Sequence, residues 1–186
     1  MNTIFNITYL IWLLSEVLLN RLLHSKGSDR KGFDGHSLWL IWFAIAAAVS
    51  VAVIVTTHLP CPIMNDVVIK YTGLGIIWTG IILRFAAVVS LGKFFTVDVT
   101  IRKGHRLKTN GLYKLLRHPS YSASLLSFIG FGFALNNLIS LLIITIAILA
   151  VFIVRIRIEE KVLSQQFGAE YAEYKKHTYA LIPFVY

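Results

Sequence analysis

Long apolar runs separated by polar, mostly basic segments set the organisation of this chain. Apolar residues predominate over roughly 4 to 23, 38 to 58, 67 to 92, 121 to 135 and 138 to 154, each run bounded by charged residues or turn formers. Runs of this length read as membrane helices, because ordinary globular helices average roughly 11 to 12 residues. The last two runs are short, and Asn136 and Asn137 between them read as a turn. Residues 121 to 154 are therefore expected to form a tight helical hairpin whose arms span partly by packing on other helices. The polar stretches are 24 to 37, 93 to 120 and 155 to 186. The first, with Gly27, Ser28, Asp29, Gly32 and Gly35, is a loop-like connector.

Composition agrees with this division. The 186 residues are 56% hydrophobic with a mean hydropathy of +0.70, above what the core of a soluble domain of this size requires. The expected fold class is an all-α integral membrane protein of about five transmembrane helices, with the C-terminal helical hairpin and a cytoplasmic pocket. It forms a single polytopic domain over 1–186, three N-terminal spans over 1–92 and a functional half over 93–186. A net charge of +9 would suit nucleic acid in another context, but here the basic residues lie between apolar spans and report topology, so no nucleic-acid partner is expected. Arg21, Lys26, Arg30 and Lys31 follow the first span, seven basic residues from Lys93 to Arg117 follow the third, and Arg155, Arg157, Lys161, Lys175 and Lys176 follow the fifth. All fall on one side, with Lys70 opposite and Arg84 within a span, which puts the N-terminus outside and the C-terminus in the cytoplasm. The first run lacks a basic lead-in and a small-residue cleavage site, so it reads as a retained helix. Cys61 is the lone cysteine, which excludes an intramolecular disulfide and a cysteine metal cluster.

Two cytoplasmic stretches flank the hairpin and hold most of the polar functional groups. The connector from Gly104 to Tyr121 reads GHRLKTNGLYKLLRHPSY. Asn110-Gly111 is expected to turn the chain, and Pro119 to open the fourth helix while holding His118 out of helical conformation. His118 and Tyr121 then project near a helix N-terminus, where backbone N–H groups favour an anionic ligand such as a carboxylate. The alternative is that Arg117, His118 and Tyr121 anchor the membrane interface. After the fifth span, RIRIEEKVLSQQFGAEYAEYKK reads as an amphipathic helix with Val162, Leu163 and Phe167 on its apolar side and Gly168 at its end, and Glu160 pointing elsewhere than Glu159. Arg155 and Glu159, four apart, share a face and either pair with each other or make separate ligand contacts. Arg84 must snorkel, pair with a carboxylate or face a polar cavity. Gly73 with Gly75, and Gly130 with Gly132, permit close helix approach. Metalloprotease, serine hydrolase and phosphate-loop motifs are absent from the sequence.

GHRLKTNGLYKLLRHPSY, a hairpin, Arg155 with Glu159-Glu160, and FGAEYAEYKK, in that order over about 90 to 186, resemble the isoprenylcysteine carboxyl methyltransferase family, which is related to phospholipid methyltransferases. The resemblance implies S-adenosylmethionine as cofactor, bound at the cytoplasmic membrane surface. The implied cofactor contacts are Asp98, His105, Arg106, Leu107, Lys108, Tyr113, His118, Pro119, Ser120, Tyr121 and Glu159, with Arg155 as the catalytic, substrate-facing arginine and no metal. The implied acceptor is a lipophilic or prenylated molecule entering from membrane lipid, methylated on a carboxylate of isoprenylcysteine type. Relatives methylate polyketide-like hydroxyls and phospholipid amines. His177 and Ala180 depart from the family by standing where relatives carry basic residues. A sterol-type NADPH-dependent membrane reductase would keep the HPSY element, but EEKVLSQQFG lacks the cysteine-containing stretch such reductases carry. A non-enzymatic scaffold would use the basic connector to bind anionic headgroups.

Overall fold

The apolar runs fold as helices close to the positions read from the sequence. The structure, a computed structural model, describes residues 3–22, 37–92 and 107–185. Its helices are α1 (Thr3–Leu22), α2 (Ser37–His58), α3 (Val68–Leu91), α4 (Pro119–Leu135), α5 (Leu138–Phe167) and α6 (Ala169–Lys176), with a 3-10 turn at Gly111–Lys114. Among the described residues, extended pairing is confined to one parallel bridge between Leu116 and Tyr179. Three helices are long and apolar enough to cross a membrane, within Ile41–His58, Val68–Leu91 and Leu138–Phe167, while α1 and α4 are shorter apolar helices. Their outer faces leave large side chains such as Leu13, Trp39, Phe43, Ile82 and Ile146 exposed, as lipid contact requires. The molecule is an integral membrane protein.

One boundary differs from the sequence reading. The fifth run and the amphipathic segment after it are a single helix of 30 residues, because no glycine or proline interrupts the chain before Gly168. Gly168 ends it with φ +51°, a left-handed backbone that glycine adopts without strain. At 1.5 Å per residue α5 is about 45 Å long against a hydrocarbon core of about 30 Å, so its last turns carry Arg155 to Phe167 toward the membrane surface.

The tightest seam joins α3 to α4, and small residues make it. A Cβ on Gly73 would lie 2.6 Å from the Gly130 carbonyl oxygen, and one on Gly130 would lie 2.7 Å from the backbone of Gly73 and Ile77. Gly132 admits Leu141 of α5 in the same way, closing the hairpin, whereas Gly75 faces open space. Close helix approach therefore accounts for three of the four glycines singled out in the sequence.

Polar side chains tie the far end of the bundle. Asn136 turns the hairpin at φ 50° and accepts from the backbone N–H of Ile63 and Met64 at 3.1 and 3.2 Å, while its amide donates to the Met64 carbonyl at 2.8 Å. Asn137 caps α5 through Ser140 N and donates to the Leu59 carbonyl at 2.7 Å. Ser140 also donates to the Ala52 carbonyl at 2.7 Å, joining α5 to α2. Helix α1 joins the bundle more lightly, by Trp12 edge-on to Phe128 at 4.9 Å and by an ion pair of Glu16 with Arg84 at 2.8 Å. Of the fates open to Arg84, the structure selects pairing with a carboxylate, which spares lipid an uncompensated charge.

Candidate functional site

At the opposite end of the bundle from the Asn136-Asn137 turn, the connector before α4 meets the last turns of α5. Asn110 is extended and Gly111 takes φ +60°, which turns the chain into the 3-10 element as Asn-Gly predicts. Tyr113 is buried there, its hydroxyl donating to the Ala87 carbonyl at 3.3 Å near the end of α3. Burial pushes its phenol up, so it stays a neutral donor. Pro119 opens α4 and His118 stays outside the helix at φ −125°, ψ 58°, the behaviour expected of a residue before proline.

His118 thereby enters a buried cluster of charge. Its Nδ1 lies 3.3 Å from Glu159 Oε2 and its Nε2 lies 3.5 Å from Glu160 Oε1, an ion-pair separation at which Nε2 has no formed hydrogen bond. Tyr121 donates to Glu159 Oε1 at 2.5 Å, and Arg155 Nε reaches the same oxygen at 3.3 Å and the Tyr121 hydroxyl at 3.4 Å. Arg155 is 1% exposed, so the Arg155–Glu159 pair is no surface salt bridge. Burial alone would lower the His118 value, but the hydrogen bond and charge of Glu159 and the nearby charge of Glu160 outweigh it and hold the ring above its ordinary 6.5. With a carboxylate facing each ring nitrogen, the imidazolium is the form that satisfies both.

Glu160, read from the sequence as pointing elsewhere, does leave the Arg155 side but faces its own partners. Its Oε1 accepts from Arg117 Nε at 2.6 Å and its Oε2 from Lys175 Nζ at 2.7 Å. Arg117 is half-buried and His118 buried, and both side chains are engaged by carboxylates of α5.

The structure brings His118, Tyr121, Arg155 and Glu159 into one contact set, with Pro119 and Ser120 buried at the start of α4. Tyr113 packs nearby but gives its hydroxyl to α3. Leu107 and Lys108 are half-buried ahead of the 3-10 turn. Asp98, His105 and Arg106 lie outside the described residues. Of the two departures, His177 is exposed and pairs with Glu173 at 3.1 Å, while Ala180 is buried and accepts the His118 N–H through its carbonyl at 3.1 Å. Sequence reasoning missed Glu160, Lys175, Tyr171 and Tyr174. Their signal was present only as the doublet Glu159-Glu160 and the polar run after Gly168, neither of which names a partner.

These groups suit a small zwitterion. A half-buried carboxylate, Glu159, offers acceptors to hydroxyls or a cation, while His118, Arg155 and the N-terminal turn of α4 offer donors to an anion. The orphaned His118 Nε2 is a buried donor still short of a hydrogen bond. S-adenosylmethionine, which carries a sulfonium, hydroxyls and a carboxylate, fits this donor set.

Comparison with known proteins gives a consistent picture. The family described as phospholipid methyltransferase matches residues 68–170. Protein-S-isoprenylcysteine O-methyltransferase B of Arabidopsis thaliana is 39% identical over 115 residues, 61% of this chain and 58% of its own length. A probable protein-S-isoprenylcysteine O-methyltransferase of Oryza sativa subsp. indica is 36% identical over 119 residues, 63% of this chain and 62% of its own length. A solved structure of the eukaryotic intramembrane Ras methyltransferase, isoprenylcysteine carboxyl methyltransferase, superposes with a TM-score of 0.65 at 30% identity, covering 77% of this chain and 52% of that one. The chain thus spans about 60% of the length of the plant relatives and about half of the solved one.

Proposed function

The chain belongs to the phospholipid methyltransferase family, and from that premise we propose that it transfers a methyl group from S-adenosylmethionine to a lipophilic acceptor, the carboxylate of an isoprenylcysteine-type substrate. The observation that carries the reading is the contact set of buried His118 and Arg155 with half-buried Tyr121 and Glu159 at the end of the membrane helices.

The cofactor supplies a methyl carbon already activated by a sulfonium. The protein's task is alignment, since an in-line displacement gains most from holding nucleophile and electrophile on one axis. Glu159, His118, Tyr121 and the first turn of α4 would hold the cofactor, with Tyr113, Pro119 and Ser120 shaping the wall. Arg155 would hold the acceptor: its Nε is shared between Glu159 and Tyr121, and the fork of a guanidinium suits a carboxylate. A carboxylate nucleophile needs no general base, and burial of the site keeps water from solvating it. Family kinship also allows a phospholipid amine as acceptor, but a buried guanidinium repels an ammonium and attracts a carboxylate, so the anion is favoured.

The same reading gives the topology. We propose five spans, α1 to α5, with the α1 start and the Asn136-Asn137 turn outside and the site in the cytoplasm. The excess of Lys and Arg in the connectors on the site's side supports it.

Calorimetry with S-adenosylhomocysteine on the purified full chain, with NADPH as control and Glu159→Gln alongside, tests the reading. Micromolar-range binding that weakens about tenfold or more in the variant is expected, that factor corresponding to about 1.4 kcal/mol for a charge-assisted contact. Binding of NADPH in place of S-adenosylhomocysteine would replace the methyltransferase with a reductase.

A further inference from the structure

Glu160 stands next to Glu159, yet its carboxylate is committed to protein. One oxygen takes Arg117 Nε at 2.6 Å and the other takes Lys175 Nζ at 2.7 Å, while His118 Nε2 stands 3.5 Å away. Arg117 passes the connection on, donating through Nη1 to the Thr178 carbonyl and reaching the Lys175 carbonyl at 3.5 Å. One carboxylate therefore binds the connector, α5 and α6 together.

The tail beyond α5 is held along the same line by its backbone. The Arg117 N–H donates to the Tyr179 carbonyl at 2.8 Å, the His118 N–H to the Ala180 carbonyl at 3.1 Å, and the Tyr179 N–H returns to the Leu115 carbonyl at 3.0 Å. Tyr174 donates to the Tyr113 carbonyl at 2.6 Å, and Ser122, one turn into α4, donates to the Leu181 carbonyl at 2.5 Å. Tyr171, Ala180 and Leu181 are each about 1% exposed. A dangling tail would leave such residues in solvent.

The consequence falls on His118. Its backbone N–H is fixed by the tail and its ring is fixed by Glu159 and Glu160, so the pose of the ring depends on both. We propose, on the methyl-transfer reading above, that Glu160 is a positioning residue: with Arg117 and Lys175 it clasps the segment from Tyr171 to Leu181 against the connector and so sets the His118 ring for cofactor binding. Glu160 itself stays off the cofactor, because both of its oxygens are taken by cations of the clasp.

The test has two arms. The first needs no ligand: the His118 ring is followed by nitrogen NMR across pH in wild type, Glu160→Gln and Glu160→Asp, the signal assigned by its loss in His118→Gln. The groups facing the ring are Glu159 and Glu160 from α5, Tyr121 from α4, Arg155 behind Glu159, and Arg117 with Lys175 behind Glu160. Glu160→Gln should move the titration midpoint down by about one pH unit or more, and Glu160→Asp should restore part of it. The second arm is steady-state kinetics, in which Glu160→Gln should raise the cofactor KM about tenfold with kcat changed less than about threefold. Tyr174→Phe, a milder loosening of the same tail that keeps the fold, should raise that KM a few-fold with kcat again little changed. An unmoved His118 titration with KM within twofold in both variants overturns the proposal, as does a parallel loss of kcat and KM that Glu160→Asp does not relieve. Wild-type protein that binds no S-adenosylhomocysteine defeats the functional reading, and the ligand-free titration still decides whether Glu160 sets the ring.

Discussion

Gly80 faces α4 at the end of the α3–α4 seam nearer the site, so Gly80→Ala measures how much the site depends on that seam. A methyl there meets the Ser127 hydroxyl and stands 2.7 Å from the Ala123 carbonyl oxygen and 2.8 Å from the Ser127 nitrogen. The hydroxyl can rotate, but the two backbone atoms cannot, and α4 must retreat by about 0.7 Å to restore ordinary contact distances. Overpacking of this kind costs about 1 to 3 kcal/mol, against about 0.5 to 1 kcal/mol gained by removing a helical glycine. At mid-range the net is a loss of about 1 kcal/mol, and about 2.5 kcal/mol at most, or a few degrees in thermal midpoint at about 2 to 4 °C per kcal/mol. Gly75→Ala on the same helix meets nothing within 4 Å and should keep only the gain. Because Ala123 lies just after Tyr121, the retreat also displaces the site, and misplacement of about 1 Å can cost a hundredfold in rate. Thermal unfolding in detergent and S-adenosylhomocysteine calorimetry on both variants give the answer. A Gly80→Ala protein as stable as wild type, or a Gly75→Ala protein equally damaged, refutes the reasoning.

Three further outcomes follow from the same contacts. Arg155→Lys keeps the charge but loses the fork, so S-adenosylhomocysteine affinity should stay within about threefold while methyl transfer falls tenfold or more; equal loss of both would place Arg155 on the cofactor. Arg84→Leu leaves Glu16 unpaired among helices and should destabilise by about 3 kcal/mol or more, whereas Glu16→Leu with Arg84→Leu should recover most of the loss in thermal midpoint. The raised His118 value means that its protonated form is favoured by folding, a contribution fully present below about pH 6.5 and lost as the pH climbs through the folded value. His118→Gln should therefore lower the thermal midpoint at pH 6 and change it little at pH 9, and the opposite order would show that His118 is buried neutral.

The helices were legible because lipid demands long apolar runs, and the glycines and asparagines that punctuate them act locally. Asn136 turns the hairpin with its own side chain, and Pro119 fixes both itself and His118. Interactions between distant residues were not legible. Arg84 shows the limit: its position in a span demanded some compensation, but only the packing of α1 names Glu16. The junction at Val154 misled because a change from apolar to charged composition looks like a helix end, although charge alone breaks no backbone hydrogen bond. Glu160 was passed over for a related reason. Adjacent helix positions face about 100° apart, and the turn before Pro119 is what lets one histidine reach both carboxylates.

The most direct test of the central claim is transfer of labelled methyl from S-adenosylmethionine by the purified protein in lipid vesicles, offering a prenylated cysteine with a free carboxylate beside phosphatidylethanolamine. The account predicts label on the prenylated cysteine as a base-labile ester, reduced tenfold or more by Arg155→Lys. Label on the amine headgroup alone, or transfer to the cysteine undiminished in that variant, would contradict it.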